Sequence, residues 1–242
     1  MSRPAHRPRP TSVYQQAMGA DFQALQPELQ EYFSLTPGSG FYGLGTGRFD
    51  VVGCPQRWLR PLLALNAAEE AFFPEYGENI PFEVQNHAHA DPFGRASLTT
   101  VRTIQVPAAD RIFQDTTSLT PRGLVDYLGR RRRLATDLHP EVGPGRSLRA
   151  ISTSSRFFGG NLRLGLPGGL DATAYMEQKW DPASNQHRIQ VKVLHRMLGV
   201  LLVYSGGFDY RLVPYPRHEA AAHGVPDSLP LQVRPDRWEP RV

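Results

Sequence analysis

His87 and His89 lie two residues apart in a run where polar and apolar side chains alternate, Phe82-Glu83-Val84-Gln85-Asn86-His87-Ala88-His89. Extended backbone sends alternate side chains to opposite faces, so both imidazoles share a face with Glu83, Gln85 and Asp91. Two histidines so placed can reach one metal ion, with His139, His195 or Glu177 of another strand as a third ligand. The same row also reads as the solvated side of a hairpin, with Phe82, Val84 and Ala88 turned to the core. A barrel reverses that logic, because its interior can be polar around a ligand. His87 and His89 are thus the candidate metal ligands, and which face is inside decides between the readings.

Arg102 poses a second question. It shares an apolar-looking face with Leu98, Thr100 and Ile104, and an arginine placed there needs a partner. Glu177, alternating with Tyr175 and Lys179 against Met176 and Trp180, is a candidate. Arg156, beside Ser152 and Ser154, raises the same issue. An arginine lining a cavity can hold a ligand carboxylate or phosphate, and aromatic side chains can cover an apolar body. Arg102, Glu177, Arg156, Tyr175 and Tyr204 therefore form the candidate ligand-binding set.

Other chemistry is excluded by its missing motifs. There is no G-x-S-x-G, no P-loop, no H-E-x-x-H and no C-x-x-C. Gly38, Gly40 and Gly43 match G-x-G-x-x-G literally, but helical pattern precedes them and strand pattern follows, the reverse of a dinucleotide site. A flexible turn is the expectation there. The single cysteine, Cys54, permits no intrachain disulfide and reads as a small buried residue. Arg130 to Arg133 reads as a solvated strand end or loop. No aromatics flank it closely, so nucleic acid is not an expected partner. The net charge of +4 is mild, and without a patch it is evidence for neither nucleic acid nor anionic lipid. No apolar run reaches membrane-spanning length, so no membrane is expected. The default is a cytoplasmic protein without a cofactor.

The elements that must position these residues can be read from periodicity. Helical spacing covers 12–19, 26–34 and 57–73. From Ile80 the period becomes two, and Asp91-Pro92-Phe93-Gly94 is a turn sequence joining 80–90 to 96–106. Further strands are expected at 111–119, 124–128, 132–139, 147–157, 161–166, 172–181, 187–195 and 198–213. Without crossover helices these must pair antiparallel. Gly206-Gly207 marks a bend or bulge in the last strand. The fold class is mainly β (α+β): short N-terminal helices followed by a large antiparallel β-barrel or strongly curved sheet. Residues 1–11 are expected to be a disordered tail, 12–78 a helical cap, 79–215 the β domain, and 216–242 a Pro-rich tail or strap.

Six segments carry a family resemblance. They are NIPFEVQN…GRASLTTVRTI (79–104), GLVDYLG (123–129), LRLGLPGGL (162–170), EQKWD (177–181), HRIQVKV (187–193) and LGVLLVYSGGF (198–208). In this order they resemble an uncharacterised bacterial family, domain of unknown function 4166, over roughly residues 12–213. The paired histidines and the four-arginine run depart from its usual pattern. The family has no established catalytic residues, so the resemblance assigns none. Its members occur in places behind a nicotinamide-dependent, saccharopine-dehydrogenase-like domain, which implies an accessory module for such a partner as one alternative.

The reading these observations favour is a protein that holds a small, partly apolar ligand in a barrel cavity above ~300 Å³, the low end for small-molecule pockets. The alternative is an enzyme acting on a small anionic substrate there, with Arg102, Glu177 and a histidine as working groups. The oligomeric state is left open.

Overall fold

A computed structural model describes residues 11–64, 70–71, 74–107, 109–167, 171–223 and 228–242. Two short helices come first, α1 (Val13–Met18) and α2 (Pro27–Tyr32), then strand β1 (Phe41–Gly53) and helix α3 (Arg60–Ala64). Ten strands follow: β2 (Tyr76–Ala90), β3 (Ala96–Val106), β4 (Ala109–Thr120), β5 (Gly123–Leu128), β6 (Leu134–Val142), β7 (Leu148–Gly159), β8 (Leu162–Gly165), β9 (Ala172–Asp181), β10 (Gln186–His195) and β11 (Gly199–Pro214). The ring runs β6-β5-β4-β3-β2-β1-β11-β10-β9-β7, and pairing of β6 with β7 closes it. This is the antiparallel barrel that the alternating pattern predicts. Closure leaves no ring strand with a free edge along its whole length.

The turns follow from local chemistry. Asp91 accepts hydrogen bonds from the Phe93 and Arg95 N–H groups at 2.9 Å each, and Gly94 takes φ +77. That arrangement fixes the β2–β3 register, with His87 opposite Thr99 and Phe82 opposite Ile104.

Three expectations are corrected. The segment read as a helical cap, 12–78, contributes a barrel strand, because β1 sits between β2 and β11. The Gly-rich stretch is a turn only up to Gly40, and from Phe41 it is strand. Its glycines answer close approach: a Cβ on Gly47 would lie 2.1 Å from the Gly207 carbonyl oxygen, and one on Gly206 2.3 Å from that of Arg48. The register shifts beside them, between Phe49 and Val51, so the bend predicted at Gly206-Gly207 is a bulge on the facing strand. The helix expected over 57–73 is short. A 3-10 turn, Arg57–Leu59, leads into α3, and residues 70 and 71 are already turn and bend. Residues 65–69 and 72–73 lie outside the described residues.

The N-terminal helices plug one end of the ring. Ser12 and Gln15 form a reciprocal cap on α1, and Pro27 opens α2 where its missing N–H costs nothing. Phe22, Leu25, Leu29 and Phe33 join Phe49, Phe82, Phe113 and Phe208 in one core. Gln26 bonds both backbone groups of Trp180, and Arg146 donates to the carbonyls of Ala24 and Leu25. These tie the plug to the β9–β10 and β6–β7 turns.

The C-terminal segment crosses the outside of the barrel. Gln114 donates to the Val233 carbonyl, Tyr127 to that of Arg241, and Arg95 to that of Glu239. Glu239 is wholly buried, with Arg237 and Arg241 on its carboxylate. Beneath the strap lies a second small core of Val125, Tyr127, Ala135 and Phe158. The outward faces of these strands are therefore buried as well.

One joint in the ring is short. β7 pairs with β9 only over Leu148–Ile151, and with β8 only over Arg156–Gly159. Between them β7 and β9 diverge, and Ser152 Oγ instead accepts the Ala174 N–H at 2.7 Å.

Candidate ligand-binding site

The barrel encloses a cavity of about 310 Å³. Its wall is mostly aromatic and aliphatic: Tyr14, Tyr32, Phe33, Phe49, Phe82, Phe113, Tyr204 and Phe208 border it, with Leu98, Ile189 and Val191. The interior face is that of Phe82, Val84 and Asn86, so the hairpin puts its apolar side inward.

A small polar set interrupts this wall. Arg102 of β3 is paired with Asp115 of β4 at 2.5 Å and lies over the Phe113 and Tyr204 rings at 5.2 and 5.9 Å. The hairpin register explains the pair, because Arg102 stands opposite Phe113 and Asp115 is the next inward residue. Burial opposes the Arg102 cation, but Asp115 outweighs it, so the guanidinium is held above its ordinary range. Asp126 of β5 also faces the cavity, accepting a hydrogen bond from Thr117 at 3.1 Å. Loss of water, followed by the neighbouring Asp115 charge, pushes its carboxyl up to about 8, so it is protonated at neutral pH. Burial likewise raises the phenols of Tyr14 and Tyr32 and pushes Tyr204 up to about 12.

Two carboxamides complete the set. Asn86 and Gln178 are buried at 2% and 1% exposure and border the cavity. Among the described residues neither polar atom of the Asn86 amide makes a hydrogen bond of ordinary length and angle, nor does Gln178 Nε2. The Tyr32 phenol neighbours both amides, and Tyr210 neighbours Asn86.

The predicted residues separate. Arg102 and Tyr204 reach the cavity. Glu177 does not: it is on the outer face, accepting from Ser147 at 2.8 Å and paired with Arg149 at 3.4 Å. Burial opposes its charge, yet these partners hold its carboxyl below the usual range. The expected Arg102–Glu177 pair is thus not formed. Tyr175 is also outward and 47% exposed, on the same face as Glu177. Arg156 is outward and nearly buried, bonded to Asp137, whose carboxyl that hydrogen bond lowers. The bulge between Thr136 and Leu138 brings Asp137 to it.

His87 and His89 point away from the cavity but not into solvent, at 2% and 1% exposure. The strap covers them. His87 Nδ1 meets Tyr215 Oη at 2.6 Å, and its ring stacks on Tyr42 at 5.2 Å. His89 Nε2 meets Thr99 Oγ1 at 2.9 Å, and Thr99 continues to Thr116 at 2.7 Å and on to Arg132. Burial lowers these imidazoles to about 4 and about 3, so both are neutral. Among the described residues no three metal-ligating side chains converge. The arginine run is also corrected: Arg132 is 1% exposed, 4.1 Å from the Trp238 ring centre, and Arg130 pairs with Asp236.

The residues missed, Asn86, Asp115, Asp126 and Gln178, each carry a polar group on an inward face. Asn86 was visible as the polar member of the Phe82–Ala88 face, and Asp115 by counting back along the β3–β4 hairpin from Arg102.

A family model described as a domain of unknown function, DUF4166, matches residues 25–208. The chain belongs to the DUF4166 family. The match spans the plug from Leu25 and all ring strands up to the middle of β11, and leaves the strap outside. Uncharacterized protein YndH of Bacillus subtilis (strain 168) is 26% identical over 201 residues, covering 82% of this chain and 97% of YndH. No solved structure matches the chain. No helix among the described residues is long and apolar enough to cross a membrane.

Proposed function

We propose that the barrel binds a small, partly apolar molecule in its cavity. The observation that carries this is the pair of buried amides, Asn86 and Gln178, which border the cavity with polar atoms that, among the described residues, make no hydrogen bond of ordinary geometry. A buried group left so costs about 1–3 kcal/mol, and a ligand offering both a donor and an acceptor removes that cost. Aromatic walls supply contact area for an apolar body.

The charge balance narrows the polar end of the ligand. Arg102 is already answered by Asp115, and Asp126 is neutral near pH 7. An anion would have to break an existing ion pair, whereas an alcohol, carbonyl or amide meets Asn86, Gln178 and the Tyr32 phenol directly. At about 310 Å³ the site takes a molecule at the small end of the range for such pockets.

Native mass spectrometry of protein purified without denaturation tests this. A bound small molecule is expected, released on unfolding, and reduced in Asn86→Leu and Gln178→Leu. Those substitutions replace an unsatisfied amide by an apolar group and leave the fold intact. Protein that carries nothing, and that takes up a panel of uncharged amphiphiles no better than these variants, would sink the reading.

A further inference from the structure

The end of the barrel opposite the plug presents an apolar and cationic rim. There, the Arg57–Ala64 segment packs on the β10–β11 turn: Cys54, Leu59 and Leu63 bury against Leu198 and Leu201, and Gln56 donates to the Leu198 and Val200 carbonyls. The residues between these anchors face outward. Trp58 is 64% exposed, Leu62 54% and Met197 77%. At the same end, β8 pairs with the last residues of β7 and carries Leu162 and Leu164, 52% and 48% exposed. Both prominences run directly into the cavity wall, since Leu201 and Leu166 border it. Arg57 and Arg196 stand exposed beside Trp58 and Met197, and Arg163 stands exposed on the other face of β8; among the described residues none of the three is in an ion pair.

Monomeric proteins rarely leave several large apolar side chains together in water without a use for them. Here they are interleaved with unpaired arginines around a cavity mouth. Tryptophan and leucine favour the boundary between headgroups and acyl chains, and arginine favours an anionic surface. The charge that composition alone left uninterpretable is thereby given a patch. We propose that this open end of the barrel docks on an anionic lipid bilayer, with Trp58, Leu62 and Met197 entering the interface and Arg57, Arg163 and Arg196 on the headgroups. That the cavity ligand is drawn from the bilayer rests on the ligand-binding reading above; the docking itself does not.

Co-sedimentation of the full chain with phosphatidylcholine vesicles, with and without phosphatidylglycerol, tests the docking with no ligand added. Binding is expected to the anionic vesicles and to weaken with salt. Each arginine neutralised, as in Arg57→Gln or Arg196→Gln, should lower partitioning about fivefold. Trp58→Ser with Leu62→Ser should abolish it with circular dichroism unchanged, since both side chains are mostly exposed. Arg211→Gln, on the exposed plug end of β11, should change nothing. Failure to bind anionic vesicles overturns the proposal, as does equal loss in Arg211→Gln. Self-association through Trp58 without vesicle binding would assign the patch to a second copy of the chain. A chain that docks but carries no small molecule would refute only the ligand reading.

Discussion

Asp126 offers the sharpest test of the cavity's electrostatics. In the folded protein its carboxyl is pushed up to about 8, first by burial and then by Asp115, whereas in the unfolded chain it titrates near 3.8. Above the unfolded value and below the folded one, the native state holds a proton that the unfolded state has released. Native stability therefore falls as pH rises through that window, at about 1.4 kcal/mol per pH unit for one proton. Asn is the neutral isostere of the protonated carboxyl, so Asp126→Asn keeps the Thr117 contact and removes the titration. The stability difference between variant and wild type should grow in the variant's favour from about pH 5 to about pH 8, reaching roughly 4 kcal/mol. Urea denaturation of both proteins across the window measures this directly. An infrared carbonyl-stretch band of a protonated carboxyl, present in wild type near neutrality and missing in the variant, would locate the proton. Parallel stability curves would refute the reasoning, because they would mean that Asp126 is ionised in the fold.

The histidines under the strap act in the opposite direction. His87 and His89 are held neutral down to about 4 and about 3, so below about pH 6.5 the unfolded chain binds protons that the native state refuses, and stability falls with acidity by up to about 1.4 kcal/mol per unit each. His89→Gln should flatten that loss in acid titrations followed by circular dichroism. Arg102→Met leaves Asp115 buried without its cation and should cost about 3–5 kcal/mol in chemical denaturation, most of it recovered in the double variant with Asp115→Leu. Gly206→Ala puts a Cβ 2.3 Å from the Arg48 carbonyl oxygen and should cost about 1–3 kcal/mol, visible as a lowered Tm.

The strands from β2 to β11 were legible because their alternation is local and their turns are chemically marked, as at Asp91–Gly94. β1 was not, for a physical reason. Its inward positions Gly43, Gly45 and Gly47 carry no side chain, which erases the alternation, and its partner β11 lies far along the sequence. Alternation also defines two faces without naming the inner one. For β2 the usual inference from polarity, that the histidine face is solvated, failed because a Pro-rich segment more than 120 residues later covers it, as the His87–Tyr215 contact makes plain. Glu177 was a reasonable partner for Arg102 by residue type and the wrong one by register. A hairpin count reaches Asp115, whereas nothing in strand order placed Glu177 inside.

The short β7–β9 joint has a kinetic meaning. The adjoining joint of β9 with β10 is held by ten paired residues, but here only four residue pairs close the ring. Just past the last of them lie Ser152, Ser155, Ala172 and Ala174, all on the cavity wall. The barrel thus resembles a hoop with one brief lap, which can spring apart over its free length while every other stave stays in register. Local fraying of this one seam would widen the way between the cavity and its open rim without unfolding the ring. Backbone amides at Ala172–Ala174 should exchange with solvent deuterium far ahead of those in β1 and β2, and the dwell time of anything inside should follow that opening.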